Sequence, residues 1–307
     1  MTRAGLAIHG GAGSFARGQL GAGEEAALRR ALAECLAEAQ QALADGAPAL
    51  DAVERAVARL EDDPHFNAGH GSALTQDGRV EMDASIMDGR TRAAGAVACV
   101  TRVANPVTAA RLVMERSPHV LLVGAGAERF ALAQGAREAS PASLVTEERR
   151  RDLQRAQSGP SGPPSGPDGA PGTVGAVARD RAGHLAAATS TGGLAGKLPG
   201  RVGDSGAIGA GTWADDATCA VSGTGHGEAF LRCALAHEVD ALVRHLGIPL
   251  DAACAAALAR VEALGSSGGL IALGREGEPV LRFQTPGMAR AWVDAGGRAR
   301  VAIFADE

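Results

Sequence analysis

The chain has no tyrosine, and aromatic residues make up only 3% of its 307 positions. Base-stacking platforms for nucleic acid need aromatics and a basic surface. This chain has few of the former, and its net charge is −5. Nucleic acid and anionic membranes are therefore not expected partners. No stretch approaches the ~20 apolar residues of a membrane span, and the segment Met1 to Phe15 lacks the basic and apolar regions of a secretion signal. Cysteine is scarce and scattered: Cys35, Cys99, Cys219, Cys233 and Cys254 form no CxxC pair, which indicates neither a zinc site nor a disulfide framework. A reducing, cytoplasmic setting is the expectation. Lysine occurs once, at Lys197, among 30 basic residues.

Glycine, by contrast, is abundant. Its 43 residues are about 14% of the chain, against the usual ~7%. Length and apolar content suit one large domain or two ordinary ones, with a sizeable core. From Gln157 to Gly172, 13 of 16 residues are Gly, Pro or Ser, the composition of a flexible linker. Before it, Glu24–Asp45 and a segment carrying Leu50, Val53, Val57 and Leu60 read as amphipathic helices. Ala93–Val103 and His119–Val123 read as strands, with a helix starting near Pro106 between them. After it, strands are expected at Thr173–Arg179, His184–Thr191 and Ala217–Ser222. One long helix then carries Leu231, Leu235, Val239, Leu242 and Leu246, and another lies near Asp251–Leu264. Closing strands fall at Leu270–Leu273, Val280–Phe283 and Val301–Phe304. Short turns between strands favour antiparallel pairing, and flanking helices then give a layered α/β arrangement.

The Asp180-Arg181-Ala182-Gly183 turn pairs the first two post-linker strands as a hairpin. Facing residue numbers then sum to about 363, within two, which sets Thr173 opposite Thr189-Ser190-Thr191 at ~4.5–5.5 Å. The plain reading of Thr173 is a β-branched residue opening a strand. A sharper one follows if the chain is cut between Gly172 and Thr173. The new terminus then carries a hydroxyl nucleophile and an amine base on one residue. An α-amine has a pKa of ~7.7–8.0, so at pH 7.5 about a third is the neutral base, against on the order of 0.1% of a lysine.

Two further segments fit a nucleophile. Gly192 to Ser205 is a glycine-rich loop with Arg201 and Asp204 close together. Arginine binds carboxylate as a fork, and aspartate accepts from an ammonium, so the pair can hold a zwitterion. A surface salt bridge is the plainer alternative. Val221-Ser222-Gly223-Thr224-Gly225-His226-Gly227 joins a strand to a helix. Its free N–H groups and the Thr224 hydroxyl can stabilise an oxyanion, though the segment also reads as a tight turn. It lacks the lysine and spacing of a phosphate loop.

Taken together, these segments resemble the plant-type L-asparaginases, or isoaspartyl aminopeptidases (β-aspartyl peptidases), of the N-terminal-nucleophile hydrolases. The resemblance runs through His9-Gly10-Gly11-Ala12-Gly13, Phe66-Asn67-Ala68-Gly69, Met82-Asp83-Ala84-Ser85-Ile86-Met87-Asp88-Gly89, Gly172 to Val177, Ala188 to Gly193, Lys197 to Ser205, and Gly268-Gly269-Leu270-Ile271. It implies a four-layer αββα sandwich with two stacked, mainly antiparallel sheets in one domain, residues 1–307. It implies self-cleavage before Thr173 into an α-subunit, 1–172 (with 157–172 as the linker), and a β-subunit, 173–307. Thr173 then attacks the side-chain amide of asparagine or the β-peptide bond of an isoaspartyl dipeptide, and water releases aspartate. Thr191 supports the nucleophile, and Thr224 and Gly225 form the oxyanion hole. Arg201 takes the substrate carboxylate, while Asp204 and the Gly227 region take its ammonium. Asn67 is similar to a family asparagine near the nucleophile. No catalytic cofactor is implied. A structural sodium is, held by the backbone carbonyls of Leu60, Glu61, Asp63, Phe66, Ala68 and His70. The family assembly is a dimer of αβ units. Two features set this chain apart. Ala170-Pro171-Gly172 stands where many relatives carry Asp two residues before the threonine, and His226 and Trp213 are expected at the pocket rim.

Other readings are weaker. Gly124 to Phe130 is a truncated dinucleotide fingerprint with Phe130 in place of the third glycine. His65 and His70 lack a third metal ligand, and Asp62, Asp63, Asp83 and Asp88 read as polar loop residues rather than a divalent-metal site. Glycosylasparaginase and Taspase-like endopeptidase activities share the nucleophile type, but the first suits a secreted enzyme and the second a wider cleft. A non-processing protein that only binds aspartyl ligands is the alternative from another class.

Overall fold

In a computed structural model, which describes residues 3–13, 17–18, 20–158 and 172–307, the strands form two stacked sheets. In chain order the strands are β1 (Gly5–Gly13), β2 (Met82–Asp88), β3 (Ala94–Val100), β4 (Leu121–Val123), β5 (Val174–Arg179), β6 (Leu185–Thr191), β7 (Thr212–Ala214), β8 (Cys219–Gly225), β9 (Gly268–Gly274), β10 (Val280–Phe283), β11 (Gly287–Val293) and β12 (Ala299–Phe304). The larger sheet runs β12-β11-β1-β5-β6-β2-β3-β4 and is antiparallel except for β3 beside β4. The smaller runs β10-β9-β8-β7, all antiparallel.

Helices α1 (Ala22–Ala44), α2 (Ala49–Glu61), α3 (Pro106–Arg116) and α4 (Gly124–Ala133) cover the outer face of the large sheet. After α5 (Glu147–Ser158), helices α6 (Gly227–Cys233), α7 (Leu235–Leu246) and α8 (Leu250–Ala263) lie on the side of the small sheet. The layers are therefore αββα.

Strand alternation decides which residues look where. Val174, Ala176 and Ala178 of β5, with Ala186 and Ala188 of β6, join the core under α1–α3. Val177, Leu185 and Ala187 join the core between the sheets. By the same parity Thr173, Thr189 and Thr191 face the second sheet, and Ser190 faces the helices. The hairpin turn is set by Asp180, whose carboxylate accepts from the N–H groups of Ala182 (2.9 Å) and His184 (3.0 Å), and by Gly183 at φ +90°. Val174 pairs with Ser190, so facing numbers sum to 364 and Thr173 lies opposite Thr191.

Two expectations need correction. Gln157 and Ser158 end α5 rather than opening the linker; residues 159–171, including Ala170 and Pro171, lie outside the described residues. The single long helix from Leu231 to Leu246 is two helices, broken at Ala234 with φ 46°. The N–H groups of Ala236 and His237 instead bond the carbonyls of Ala210 and Gly209. This docks α7 on the loop before β7, while α6 packs against the turn at Asp204. Gly124 to Phe130 opens α4 behind a short edge strand, not a nucleotide turn.

Glu61 ends α2 fully buried, and burial pushes its pKa up to about 8. Its Oε1 accepts from the Val107 N–H at 2.9 Å. A carboxyl raised above its unfolded value holds a proton in the folded state, so stability declines as pH rises from about 4.5 to 8. Glu61→Gln keeps the acceptor without the charge. It is expected to flatten that decline and to raise Tm at pH 9 relative to the unmodified chain, measured by calorimetry.

Candidate active site

Thr173 immediately precedes β5 and is 9% exposed. Its hydroxyl donates to Thr191 Oγ1 at 3.0 Å, which also accepts from the Gly193 N–H at 3.0 Å. Two short strands with a tight turn therefore put a hydroxyl beside the candidate nucleophile, as their register requires.

The carbonyl of Thr173 accepts from His9 Nδ1 at 3.0 Å. His9 is fully buried, and burial drives its pKa down to about 3, so the ring is neutral. With Nδ1 protonated for Thr173, Nε2 accepts from the Ser222 hydroxyl at 2.9 Å; these partners assign the tautomer. The chain of hydroxyls continues from Ser222 to Thr189 (2.7 Å), with Thr212 donating to Thr189 (2.6 Å) and Ser85 to Thr212 (2.8 Å). It crosses between the sheets and fixes the backbone of Thr173. Gly11 lies at φ +110°, and a Cβ there would sit 2.1 Å from Gly172 N, so only glycine lets the chain before Thr173 approach β1.

Thr224, 1% exposed, stands near the end of β8, and its Oγ1 accepts from the Ala12 N–H at 3.0 Å, leaving its own proton to donate. The Gly223 N–H turns away from β9 to bond Gly211 O at 2.8 Å. By antiparallel alternation the Gly225 N–H points the same way, past the end of β7.

Arg201 and Asp204 meet at Gly227. A Cβ on Gly227 would lie 2.8 Å from Arg201 Nη2 and 2.9 Å from Asp204 Oδ1. Arg201 also borders Gly193, two residues past Thr191, which links this pair to the nucleophile. Asp204 is buried, its Oδ2 has no hydrogen-bond partner among the described residues, and burial raises its pKa to about 7 against the pull of Arg201. Glu228 forks onto Arg201 with two 2.9 Å bonds, which hold its carboxyl below the ordinary range. Asn67 fastens the loop: Nδ2 donates to Gly193 O (2.7 Å), and Oδ1 accepts from the Ala73 N–H (2.7 Å).

His226 caps α6 and lies 3.8 Å from Glu228, at the edge of the site. Trp213 does not reach it: the residue is on the outer face of β7, edge-on to His237. His65 pairs with Asp63 at 2.6 Å. Asp83 accepts from the N–H groups of Cys99 and Gly203, and Asp88 from Arg90 N–H and the Thr91 hydroxyl. Among the described residues no three His, Cys, Asp or Glu converge on a common point.

A family profile described as Asparaginase matches residues 2–303. The chain belongs to this asparaginase family. It is 49% identical over 311 residues to the isoaspartyl peptidase of Salmonella typhimurium, covering 99% of each chain. It is 47% identical to the isoaspartyl peptidase of Escherichia coli, covering 100% of this chain and 98% of the other. The isoaspartyl peptidase/L-asparaginase of Rattus norvegicus is 43% identical, with 95% and 86% covered.

Within this asparaginase-family chain, residue reasoning missed two groups. His9 lies in the quoted His-Gly-Gly motif, but its contact with Thr173 spans 164 positions of sequence and has no local signature. Glu228 follows Gly227 directly, and the placement of α6 against Arg201 was the missing fact.

Proposed function

We propose that this chain hydrolyses the side-chain amide of L-asparagine and the β-aspartyl bond of isoaspartyl dipeptides, releasing L-aspartate, with Thr173 as an amino-terminal nucleophile. The observation that carries the reading is the Thr173 hydroxyl, paired with Thr191 at 3.0 Å, at the end of the strand that follows Gly172. Family membership and the names of the relatives support it.

In self-cleavage the Thr173 hydroxyl adds to the Gly172 carbonyl, the C–N bond breaks, and the amine takes the proton. Water then opens the resulting ester. The products are an α-subunit, 1–172, and a β-subunit, 173–307. They remain one domain, because β1 pairs with β5 and β2 with β6 across the cut. The freed amine accepts the Thr173 proton as oxygen attacks the substrate carbonyl. The Thr224 hydroxyl and Gly225 N–H stabilise the oxyanion. The leaving amine departs protonated, and water hydrolyses the β-aspartyl ester.

Arg201 takes the substrate α-carboxylate in place of Glu228. The ammonium goes to Asp204 Oδ1, the carboxylate oxygen beside Gly227. Asp204 must ionise to do so. The kcat/KM is therefore expected to fall as pH drops below about 7, where the free carboxyl is protonated. The need for a neutral α-amine, with pKa ~7.7–8.0, steepens the same side of the profile. In Asp204→Asn the lower inflection should disappear from the pH–kcat/KM curve. Aspartate release from a β-aspartyl dipeptide, beside none from its α-linked isomer, tests the substrate assignment. Release from both would remove it.

A structural sodium on the carbonyls of Leu60, Glu61, Asp63, Phe66, Ala68 and His70 belongs to this reading. In support, Glu61 O would lie 2.4 Å from a Cβ on Gly69, and Pro64 O and Phe66 O within 2.7 Å of one on Gly71. These carbonyls pack close on the two glycines, with Glu61 O also accepting from the His70 N–H at 2.7 Å, and backbone oxygens are donors suited to a hard cation. A homodimer of αβ units is supported by the edge strand β4 and the residue before it, where Val120, Leu121 and Val123 are 48–57% exposed. No described helix is long and apolar enough to cross a membrane; a cytoplasmic location completes the reading.

A further inference from the structure

A cleft of about 530 Å3 opens at the other end of β5, roughly 20 Å from Thr173 by strand length. Its walls include Arg3, Arg179, Glu276, Glu278, Val293 and Asp294. Arg179 is 2% exposed, and no carboxylate pairs with it among the described residues. Its guanidinium is held by backbone alone: Nε donates to Arg3 O (2.9 Å), Nη1 to Gly274 O (2.6 Å) and Nη2 to Gly277 O (3.0 Å). An arginine offers five N–H donors, so two on Arg179 are unassigned.

Arg3 stands beside it, exposed to solvent, bonded to the carbonyls of Asp294 and Ala295 and to no carboxylate among the described residues. Carbonyl oxygens satisfy donors but do not neutralise charge, and buried charges are ordinarily paired. Burial and the neighbouring Arg3 press the Arg179 pKa downward, against the opposing pull of Glu276 at the rim. Asp294, another acid in the wall, is committed to Arg298 and Arg300. Glu276 and Glu278 are exposed at the mouth and form no ion pair among the described residues. The cleft thus sets two arginines opposite two exposed glutamates, with no direct ion pair between them among the described residues.

We propose that this cleft binds a zwitterionic α-amino acid, with its carboxylate on Arg179 and Arg3 and its ammonium toward Glu276 and Glu278. The volume falls in the range of small-ligand sites. L-Aspartate and L-asparagine belong to the ligand class, so the cleft is a second zwitterion site, separate from Arg201 and Asp204. It does not depend on the catalytic reading.

Calorimetric titration of purified Arg201→Ala protein, whose first zwitterion site is disabled, tests this with L-aspartate, L-alanine, succinate and ethanolamine as probes. Both amino acids should bind with millimolar affinity, and succinate and ethanolamine at least tenfold more weakly. Adding Arg179→Met should remove amino-acid binding. Should that variant fold poorly, the exposed pair Glu276→Gln and Glu278→Gln provides the second test and should weaken amino-acid binding at least fivefold while leaving succinate unchanged. The proposal is overturned if Arg201→Ala protein binds no amino acid. It is equally overturned if succinate binds as well as aspartate and the glutamate variants change nothing, which would describe an anion pocket only.

Discussion

Thr173→Ala is expected to yield a single uncut chain of 30.8 kDa and to lower turnover of a β-aspartyl dipeptide by on the order of 10^6-fold. The size of the loss follows from the double duty of the residue. Its hydroxyl forms the covalent intermediate in both the scission and the substrate reaction, and its amine exists as a base only after the scission. Alanine removes the first and thereby prevents the second. The fold should survive, because the contact that fixes the segment is between the Thr173 carbonyl and His9, which alanine preserves. Thr173→Ser, which keeps a hydroxyl, should still cut itself. Electrophoresis and a coupled aspartate assay read both outcomes, and hydrolysis that persists in Thr173→Ala would move the nucleophile elsewhere.

The second large effect is expected at Arg201. Arg201→Leu should raise KM for a β-aspartyl dipeptide about 100-fold, or roughly 3 kcal/mol, with a much smaller change in kcat. The guanidinium meets a part of the substrate that does not react, so its loss is felt in ground and transition states alike. Steady-state kinetics separates the two constants. The present fork between Arg201 and Glu228 means that a substrate carboxylate must displace an internal one. Glu228→Gln removes that competitor and should lower KM, the opposite direction from Arg201→Leu. A fall in kcat alone for Arg201→Leu would place the residue outside substrate binding.

How much of this could be read in advance depended on the range of the interactions. The Thr173–Thr191 contact was legible because a two-residue period and one Asp-to-Gly turn fix a hairpin register locally. The αββα layering came from the resemblance, and strand alternation alone gave only a layered α/β arrangement. The break at Ala234 was not legible: an unbroken helical pattern crosses it, and the chain departs from helix only because the loop at Gly209 and Ala210 captures the next N–H groups. Strand β1 was hidden for a related reason. Its Gly-Gly-Ala-Gly sequence has poor strand propensity, and it is held between β5 and β11 on both edges. Trp213 was misplaced because a one-residue change of parity on β7 sends a side chain to the opposite face of the sheet. The proximity of Arg201 and Asp204 was plain from sequence. Their meeting at Gly227 was expected only through the resemblance, and the deep burial of Asp204 needed the packed loop.

Intact-mass spectrometry of purified, active protein, with amino-terminal sequencing of each piece, bears most directly on the whole scheme. It should find two polypeptides, the second starting Thr-Val-Gly-Ala from Thr173. Active material made of one continuous polypeptide, or a second piece with any other first residue, would contradict it.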